Sequence, residues 1–157
     1  MKVTLVCTGK TNELFINEGI DFYLKRIKMK LPFDIKYIPE SKKSARIPVQ
    51  TIKDQEAEAF FQELDPGDYL ILLDDKGKHM TSMEFAMYLN KKFNMSYKRI
   101  VFMAGGALGF GESIYKRANE KLSLSKMTFP HHLVRIIFLE QLYRGLSILH
   151  NEPYHNE

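Results

Sequence analysis

The 157-residue chain has very little cysteine and no long hydrophobic run. Cys7 is the single cysteine, which excludes a disulfide within the chain and a thiolate metal cluster, and which agrees with a reducing compartment. No apolar run approaches the roughly 18 to 20 residues that span a bilayer. The N-terminal MKVTLVCTGK also lacks a long apolar segment followed by a small-residue cleavage site. We therefore expect a cytoplasmic protein that does not contact a membrane.

Donors for a metal ion are scarce as well. The five histidines contain no pair at helical metal-ligand spacing, and there are no further cysteines to complete a zinc site. We therefore expect no metal cofactor.

The chain carries a basic excess, with 23 lysines and arginines, 19 acidic residues and a formal net charge of +4. The excess lies in local clusters: Lys25-Arg26-Lys28-Lys30, Lys42-Lys43-Arg46, Lys91-Lys92, Lys98-Arg99 and Lys116-Arg117. Each phosphate that such clusters neutralise releases condensed counterions, so an anionic partner such as nucleic acid is favoured. The alternative is that the clusters are solvated helix faces, which are common in small basic domains.

Strand-like runs alternate with helix-like periodicity along the whole chain. The pattern predicts strands at 2–6, 33–37, 69–73, 100–103 and 122–124. It predicts helices at 12–30, 49–64, 81–93, 113–119 and 133–146. The third run is apolar at every position, which is typical of a strand buried on both faces of a parallel sheet. We therefore expect a single α/β domain over 1–157, with helices flanking a mainly parallel sheet.

Ligands in such folds bind beyond the carboxyl ends of the strands, where the strand order reverses. Three loops leave predicted strand ends, after Leu73, Met103 and Leu124. We expect these loops to converge on one pocket.

Residues 106–113, GALGFGES, follow one of these predicted strands. They have the spacing of a phosphate-binding loop, except that Glu112 occupies the place of the lysine that reaches the terminal phosphates. The surrounding glycines do not fit the dinucleotide fingerprint either. Because glycines let the backbone approach a ligand closely, the loop suits a neutral or cationic ligand. Alternatively, the glycines serve tight turns that need a positive φ.

Residues 122–135, LSLSKMTFPHHLVR, place small hydroxyl and apolar residues ahead of Pro130. Pro130 suits the first turn of a helix, where its missing N–H costs nothing, and Thr128 or a neighbour is expected to cap that helix. A loop rich in backbone donors and acceptors can hydrogen-bond the edge of an adenine. The apolar side chains that would cover the faces of the ring are Leu124, Met127 and Phe129.

The chain contains, in this order, Gly105-Gly106, LSLSKMTFPHHLVR, EQLYR at 140–144 and the C-terminal EPYHNE. In this arrangement it resembles the RlmH family of ribosomal RNA large-subunit pseudouridine methyltransferases, of the SPOUT class, over essentially its whole length. The resemblance implies a trefoil-knotted α/β fold, a homodimer, and S-adenosylmethionine bound inside the knot. It also implies methylation of N-3 of a pseudouridine in large-subunit (23S) ribosomal RNA. The assembled ribosome is the expected substrate, and free RNA stays open.

The resemblance also implies a set of site residues. The implied cofactor-binding residues are Leu73, Gly105, Leu124, Ser125, Lys126, Met127, Thr128 and Phe129. In the tail, Tyr154 and His155 are implied to be catalytic residues near the base that is methylated. The family commonly has a basic residue after that histidine, where this chain has Asn156, so a terminal phosphate contact is not supported.

Methyl transfer from a sulfonium needs in-line approach, so positioning supplies most of the acceleration. The imide nitrogen must also lose a proton, and a histidine such as His155 suits a general base or a group that stabilises the deprotonated imide. Tyr154 is expected to stack on the base or orient it. Alternatively, the Tyr-His pair belongs to a frayed tail without a catalytic role.

Arg135 and Arg144 are the candidate RNA-binding residues. They lie nine residues apart, about two and a half helical turns, so they face different sides of the last helix. Each is expected to contact an RNA phosphate, or a carboxylate across the dimer. The alternative for either is an ordinary surface ion pair.

Two other functions stay open from the sequence. One is a SPOUT methyltransferase that acts on another RNA such as tRNA, because basic clusters do not specify a substrate. The other is a non-catalytic ribosome-binding protein that uses its basic face alone. Binding of S-adenosylmethionine distinguishes a methyltransferase from the second alternative, since a pure RNA binder does not need the cofactor.

Overall fold

The computed structural model describes residues 1–42 and 44–156. Strands and helices alternate along the chain, as the hydrophobic pattern predicts. The elements are β1 (Lys2–Thr8), α1 (Leu14–Lys28), β2 (Phe33–Ile38), α2 (Val49–Gln62), β3 (Tyr69–His79), α3 (Ser82–Phe93), β4 (Arg99–Ala104), α4 (Glu112–Arg117), β5 (Glu120–Ser123) and α5 (His131–Leu149).

The strands form one sheet in the order β2-β1-β4-β3-β5, and every adjacent pair is parallel. The predicted α/β fold with a mainly parallel sheet is therefore confirmed. The helices that follow β1 and β4, α1 and α4, pack on opposite faces of the sheet. The strand order thus reverses between these two neighbours.

Two hydrophobic cores lie on the two faces of the sheet. On the face covered by α1, α3 and α5, the rings of Phe102 and Phe138 have centroids 4.6 Å apart. On the face covered by α2 and α4, Phe60 and Phe110 lie 5.9 Å apart. Cys7 belongs to the first core, and its burial raises the pKa of the thiol to about 12. The single cysteine is a small buried strand residue, as its sequence context predicts.

Strand β3 is longer than the sequence pattern predicts. The apolar run ends at Leu73, but pairing with β5 resumes at Lys78 and His79 after an irregularity. A Cβ on Gly77 would lie 2.5 Å from the backbone nitrogen of Leu122, so only glycine fits where the two chain segments pass. The extension is polar and largely exposed, and a periodicity of buried residues could not reveal it.

The start of α3 follows the predicted capping box. The Glu84 N–H donates to Thr81 Oγ1 at 3.2 Å, and the Thr81 N–H donates to Glu84 Oε2 at 2.7 Å. The start of α5 differs from the prediction that Thr128 or a neighbour caps it. Pro130 is the N-cap residue and makes no side-chain cap hydrogen bond. No helix within the described ranges is long and apolar enough to cross a membrane.

Candidate functional site

A cavity of about 510 Å³ opens at the carboxyl ends of β4 and β5, beside the irregularity in β3 after Leu73. The three segments predicted to leave strand ends converge on it, which confirms the prediction of a shared pocket, although the first of them is part of the extended β3 and not a loop. The first contributes Leu73 and residues 74–76, the second residues 104–110, and the third residues 123–125 and 127–129. The fold therefore brings together segments that lie far apart in sequence, as open parallel sheets do at their carboxyl edges.

The glycine loop packs closely on its surroundings. A Cβ on Gly105 would lie 3.2 Å from the ring of Phe110, and one on Gly106 would lie 3.4 Å from Thr8 Cγ2. Gly109 has a φ of +75°, so a turn that needs glycine occurs at this position. Glu112 forms an exposed ion pair with Lys116 at 3.0 Å and does not line the cavity.

Hydrogen bonds shape the loop between β5 and α5. Ser123 Oγ donates to the carbonyl of Ser125 at 2.8 Å, and the Met127 N–H donates to Ser125 Oγ at 2.9 Å. Met127 is 75% exposed and lines the cavity, so an apolar side chain stands open at its mouth. Of the predicted cofactor residues, seven line the cavity: Leu73, Gly105, Leu124, Ser125, Met127, Thr128 and Phe129. Lys126 does not, and its role stays a prediction.

The composition of the wall fits S-adenosylmethionine. Apolar side chains such as Leu124 and Phe129 lie beside backbone groups and hydroxyls, which suits a flat ring with polar edges. Four charged side chains also line the cavity: Lys53, Asp74, Asp75 and Lys76. They suit a ligand that carries charges of both signs. In the described part of the chain, no group of three or more histidine, cysteine or acidic residues could hold a metal ion.

Several lining residues were not predicted from the sequence. Lys53 comes from α2, and Tyr115 comes from α4. Neither helix carries a local motif that points to a pocket. Asp74 had a signal, because an acidic residue directly after a buried parallel strand lies at the ligand-binding edge of the sheet.

The C-terminal tail is folded onto helices of its own chain. Tyr154 donates a hydrogen bond from its hydroxyl to Glu140 Oε1 at 3.3 Å, and the Arg144 guanidinium lies 4.9 Å from its ring centre. Burial, a hydrogen bond to Tyr23 and the charge of Glu140 raise the pKa of Tyr154. His155 Nδ1 lies 3.2 Å from Arg144 Nη1. These contacts bring three predicted site residues together, and none of the three lines the cavity of the same chain.

The two candidate RNA-binding arginines face different surroundings, as their spacing predicts. Arg144 is partly exposed and pairs with Glu140 one turn away. Arg135 is only 1% exposed, donates to the carbonyl of Thr8, and lies 5.6 Å from the ring centre of Tyr37. Arg135 is therefore not a surface ion pair, and an RNA contact by its side chain would require it to move. For both arginines RNA binding stays a prediction.

Comparison with known proteins gives one consistent family. A sequence profile described as predicted SPOUT methyltransferase matches residues 1–155. The chain is 48% identical to Ribosomal RNA large subunit methyltransferase H of Parabacteroides distasonis over 157 residues, covering all of both chains. It is 45% identical to the protein of the same name from Bacteroides thetaiotaomicron, again over the full length of both.

A solved structure gives independent support for the fold. A probable methylase family protein from Haemophilus influenzae Rd KW20 superposes with a TM-score of 0.54 at 11% sequence identity. The match covers 95% of this chain and 66% of that chain. At this identity the similarity concerns the fold alone.

Proposed function

Since the chain belongs to the SPOUT methyltransferases, and within them to the ribosomal RNA large subunit methyltransferase H family, we propose a specific reaction for it. The protein transfers a methyl group from S-adenosylmethionine to N-3 of a pseudouridine in large-subunit (23S) ribosomal RNA, in the cytoplasm. The observation that carries this proposal is the full-length identity of 48% to a protein named for that activity class. The whole chain acts as one SPOUT domain.

The pocket lined by residues from β3, β4 and β5 is the proposed cofactor site. S-adenosylmethionine supplies, when bound, an electrophilic methyl group on a sulfonium sulfur. The loop from Leu124 to Phe129 holds the adenine through backbone groups and covers it with apolar side chains. The glycines at 105 and 106 let the backbone of the second loop approach closely. The trefoil knot that the family implies is part of this proposal.

The chemical step needs a positioned and deprotonated acceptor. The imide nitrogen of pseudouridine bonds to the methyl carbon as its proton leaves, and the electron pair of the broken carbon–sulfur bond stays on sulfur. His155 accepts the proton, or stabilises the imide once it is deprotonated. Tyr154 orients the base against the pocket.

The acceptor site is completed by a second copy of the chain. Within one chain Tyr154 and His155 do not line the cofactor cavity, so they reach a cavity most directly in a partner. α1 presents a stripe of exposed apolar side chains for such a partner, with Leu14, Phe15 and Phe22 exposed at 76%, 62% and 48%. An exposed apolar patch of this kind marks an interaction surface. We therefore propose a homodimer with a shared site.

Basic residues supply the contact with ribosomal RNA. Arg144 lies beside His155, so a phosphate next to the target nucleotide can reach its guanidinium if the Glu140 pair opens. Arg135 is buried, so its side chain can contact RNA only if it moves when RNA binds. The basic clusters add contacts that are not specific to sequence and weaken as salt concentration rises.

The proposal is tested by transfer of labelled methyl from S-adenosylmethionine to ribosomes from a strain that lacks this protein. Assembled ribosomes, isolated subunits, free 23S RNA and tRNA are compared. We expect label in the large-subunit RNA, strongest with the assembled ribosome. Label in tRNA alone would show that the protein is a methyltransferase whose substrate is tRNA. Tight RNA binding without label would favour a non-catalytic ribosome-binding protein.

A further inference from the structure

Asp74 is held in a fixed position at the wall of the pocket, although no sequence motif predicts it as a site residue. It directly follows Leu73, where β3 ends its pairing with β4. Its Oδ1 accepts a hydrogen bond from the Lys76 N–H at 2.8 Å, and its Oδ2 accepts one from the hydroxyl of Tyr115. Tyr115 lies on α4 and also lines the cavity. Groups from two pocket segments therefore fix this carboxylate.

Neither hydrogen bond of Asp74 neutralises its negative charge. Both hydrogen-bond donors are neutral groups, since burial and then the bond to Asp74 raise the pKa of Tyr115 and keep its phenol protonated near neutral pH. Among residues 1–42 and 44–156, no ion pair within 4.0 Å joins Asp74 to a basic side chain. A half-buried carboxylate gains more from a cationic ligand than an exposed one, because attraction between charges is less screened there.

The cofactor of the proposed function carries such a cation. S-adenosylmethionine has a positively charged sulfonium, whereas the demethylated product, S-adenosylhomocysteine, has a neutral sulfur at the same place. We propose that Asp74, held by Tyr115, faces the sulfonium and makes the pocket prefer the methyl donor to the spent product. This inference rests on the proposed function and adds to it a residue that distinguishes the two forms of the cofactor.

The charge balance of the reaction gives Asp74 a definite place in the cycle. Its carboxylate attracts the donor before transfer, and the attraction falls once the methyl group has left and sulfur is neutral. Because the positive charge already disperses in the transition state, the carboxylate stabilises the bound donor at least as much as the transition state. Loss of Asp74 should therefore raise the KM for the donor without lowering kcat.

Calorimetric titration of the wild-type protein and of Asp74→Asn with both cofactor forms tests the inference. We expect Asp74→Asn to bind S-adenosylmethionine about tenfold more weakly, and S-adenosylhomocysteine with less than about a twofold change. Tyr115→Phe keeps the charge but frees the carboxylate, so it should weaken donor binding by a smaller factor in the same selective direction. Glu112→Gln is the control, because Glu112 is an exposed carboxylate just after the glycine loop and does not line the cavity. Its donor affinity should change by less than about twofold.

The outcomes separate this inference from the proposed function. Equal weakening of both cofactor forms by Asp74→Asn would mean that Asp74 contacts a group common to both, and would overturn the inference alone. An equal effect of Glu112→Gln would also overturn it, since the preference would then come from general surface charge. Wild-type protein that binds neither form would overturn the proposed function as well. If Asp74→Asn does not fold, Tyr115→Phe tests the inference instead: weaker binding of S-adenosylmethionine alone supports it, and equal weakening of both cofactor forms overturns it.

Discussion

The ring of Tyr154 packs edge-on against the ring of Tyr143, with centroids 4.8 Å apart and an interplanar angle of 71°. Tyr143 lies on α5, and an ion pair between Lys30 and Glu152 ties the same tail to the residues just after α1. The tail is thus docked on its own chain, where neither ring lines the cavity. We therefore expect the proposed site to combine the cavity of one protomer with the tail of its partner.

Mixing two inactive variants tests whether the site is shared. His155→Ala should lower kcat by about 10²-fold or more while leaving cofactor binding unchanged, because it removes a proton acceptor and not a cavity residue. Thr128→Trp should fill the cavity and abolish cofactor binding, and Thr128 is exposed, so the fold should tolerate it. Dimers that carry one chain of each variant then contain one site with an intact cavity and an intact tail.

Methyl transfer by purified mixed dimers is the measurement. With differently tagged chains expressed together, we expect activity well above that of either variant alone. Mixed dimers as inactive as both parents would place tail and cavity in the same chain and contradict a shared site.

The exposed stripe on α1 should control dimerisation. Phe15→Glu places a charge on a side chain that is 62% exposed in the single chain and should be buried between two protomers. We expect analytical ultracentrifugation to show a shift from dimer to monomer, together with loss of methyl transfer. Val49→Glu is the control, because Val49 is 52% exposed on α2, which packs on the other face of the sheet. A Phe15→Glu protein that stays dimeric would show that this stripe is not part of the dimer interface.

Gly77 should be among the least replaceable residues of the fold. In Gly77→Ala the new Cβ would lie 2.5 Å from the backbone of Leu122, and backbone cannot move aside as a flexible side chain can. We expect a loss of about 3 kcal/mol in the free energy of unfolding, measured by urea titration. Gly67→Ala is the control, since no atom lies within 4 Å of its Cβ position. Similar stabilities of the two variants would show that the chain segments at Gly77 separate easily.

The side chain of Glu120 should make stability depend on pH in the acid range. Burial alone would raise its pKa, but hydrogen bonds from Lys92, Tyr69 and Tyr88 outweigh burial and lower the pKa below 4.5. A lowered carboxyl pKa stabilises the folded state above the unfolded-state value, and this stabilisation is lost as pH falls through the folded-state value. Urea titrations at several pH values should therefore show Glu120→Gln less stable than wild type at neutral pH, with the difference shrinking below about pH 4.5. A difference independent of pH would assign the effect to shape and not to charge.

Several features of the fold could be predicted from the sequence, for identifiable physical reasons. The all-apolar run from Tyr69 to Leu73 marks a strand covered on both faces, and Thr81 with Glu84 marks a helix start, because both signals lie in adjacent residues. The convergence of three loops follows from the geometry of a parallel sheet. The extension of β3 to His79 was missed, because its residues are polar and its pairing with β5 depends on a distant segment.

The site was less predictable than the fold. The family resemblance implied the loop from Leu124 to Phe129 as cofactor-binding, and every residue of this loop except Lys126 lines the cavity. Lys53 and Tyr115 could not be found, because helix packing alone brings them to the cavity. The burial of Arg135 was also unexpected, since arginine is rarely enclosed. Only the tertiary structure shows that this arginine supports the carboxyl end of β1 through the carbonyl of Thr8.

The proposed reaction is tested by identifying the methylated nucleoside. Ribosomes from a strain without this protein are incubated with the protein and S-adenosylmethionine, and nucleosides from the 23S RNA are then separated and analysed by mass spectrometry. We expect conversion of one pseudouridine to its N-3 methyl form, with no conversion by the Thr128→Trp protein. Unmodified pseudouridine in the presence of active cofactor binding, or a methyl group on another RNA, would contradict it.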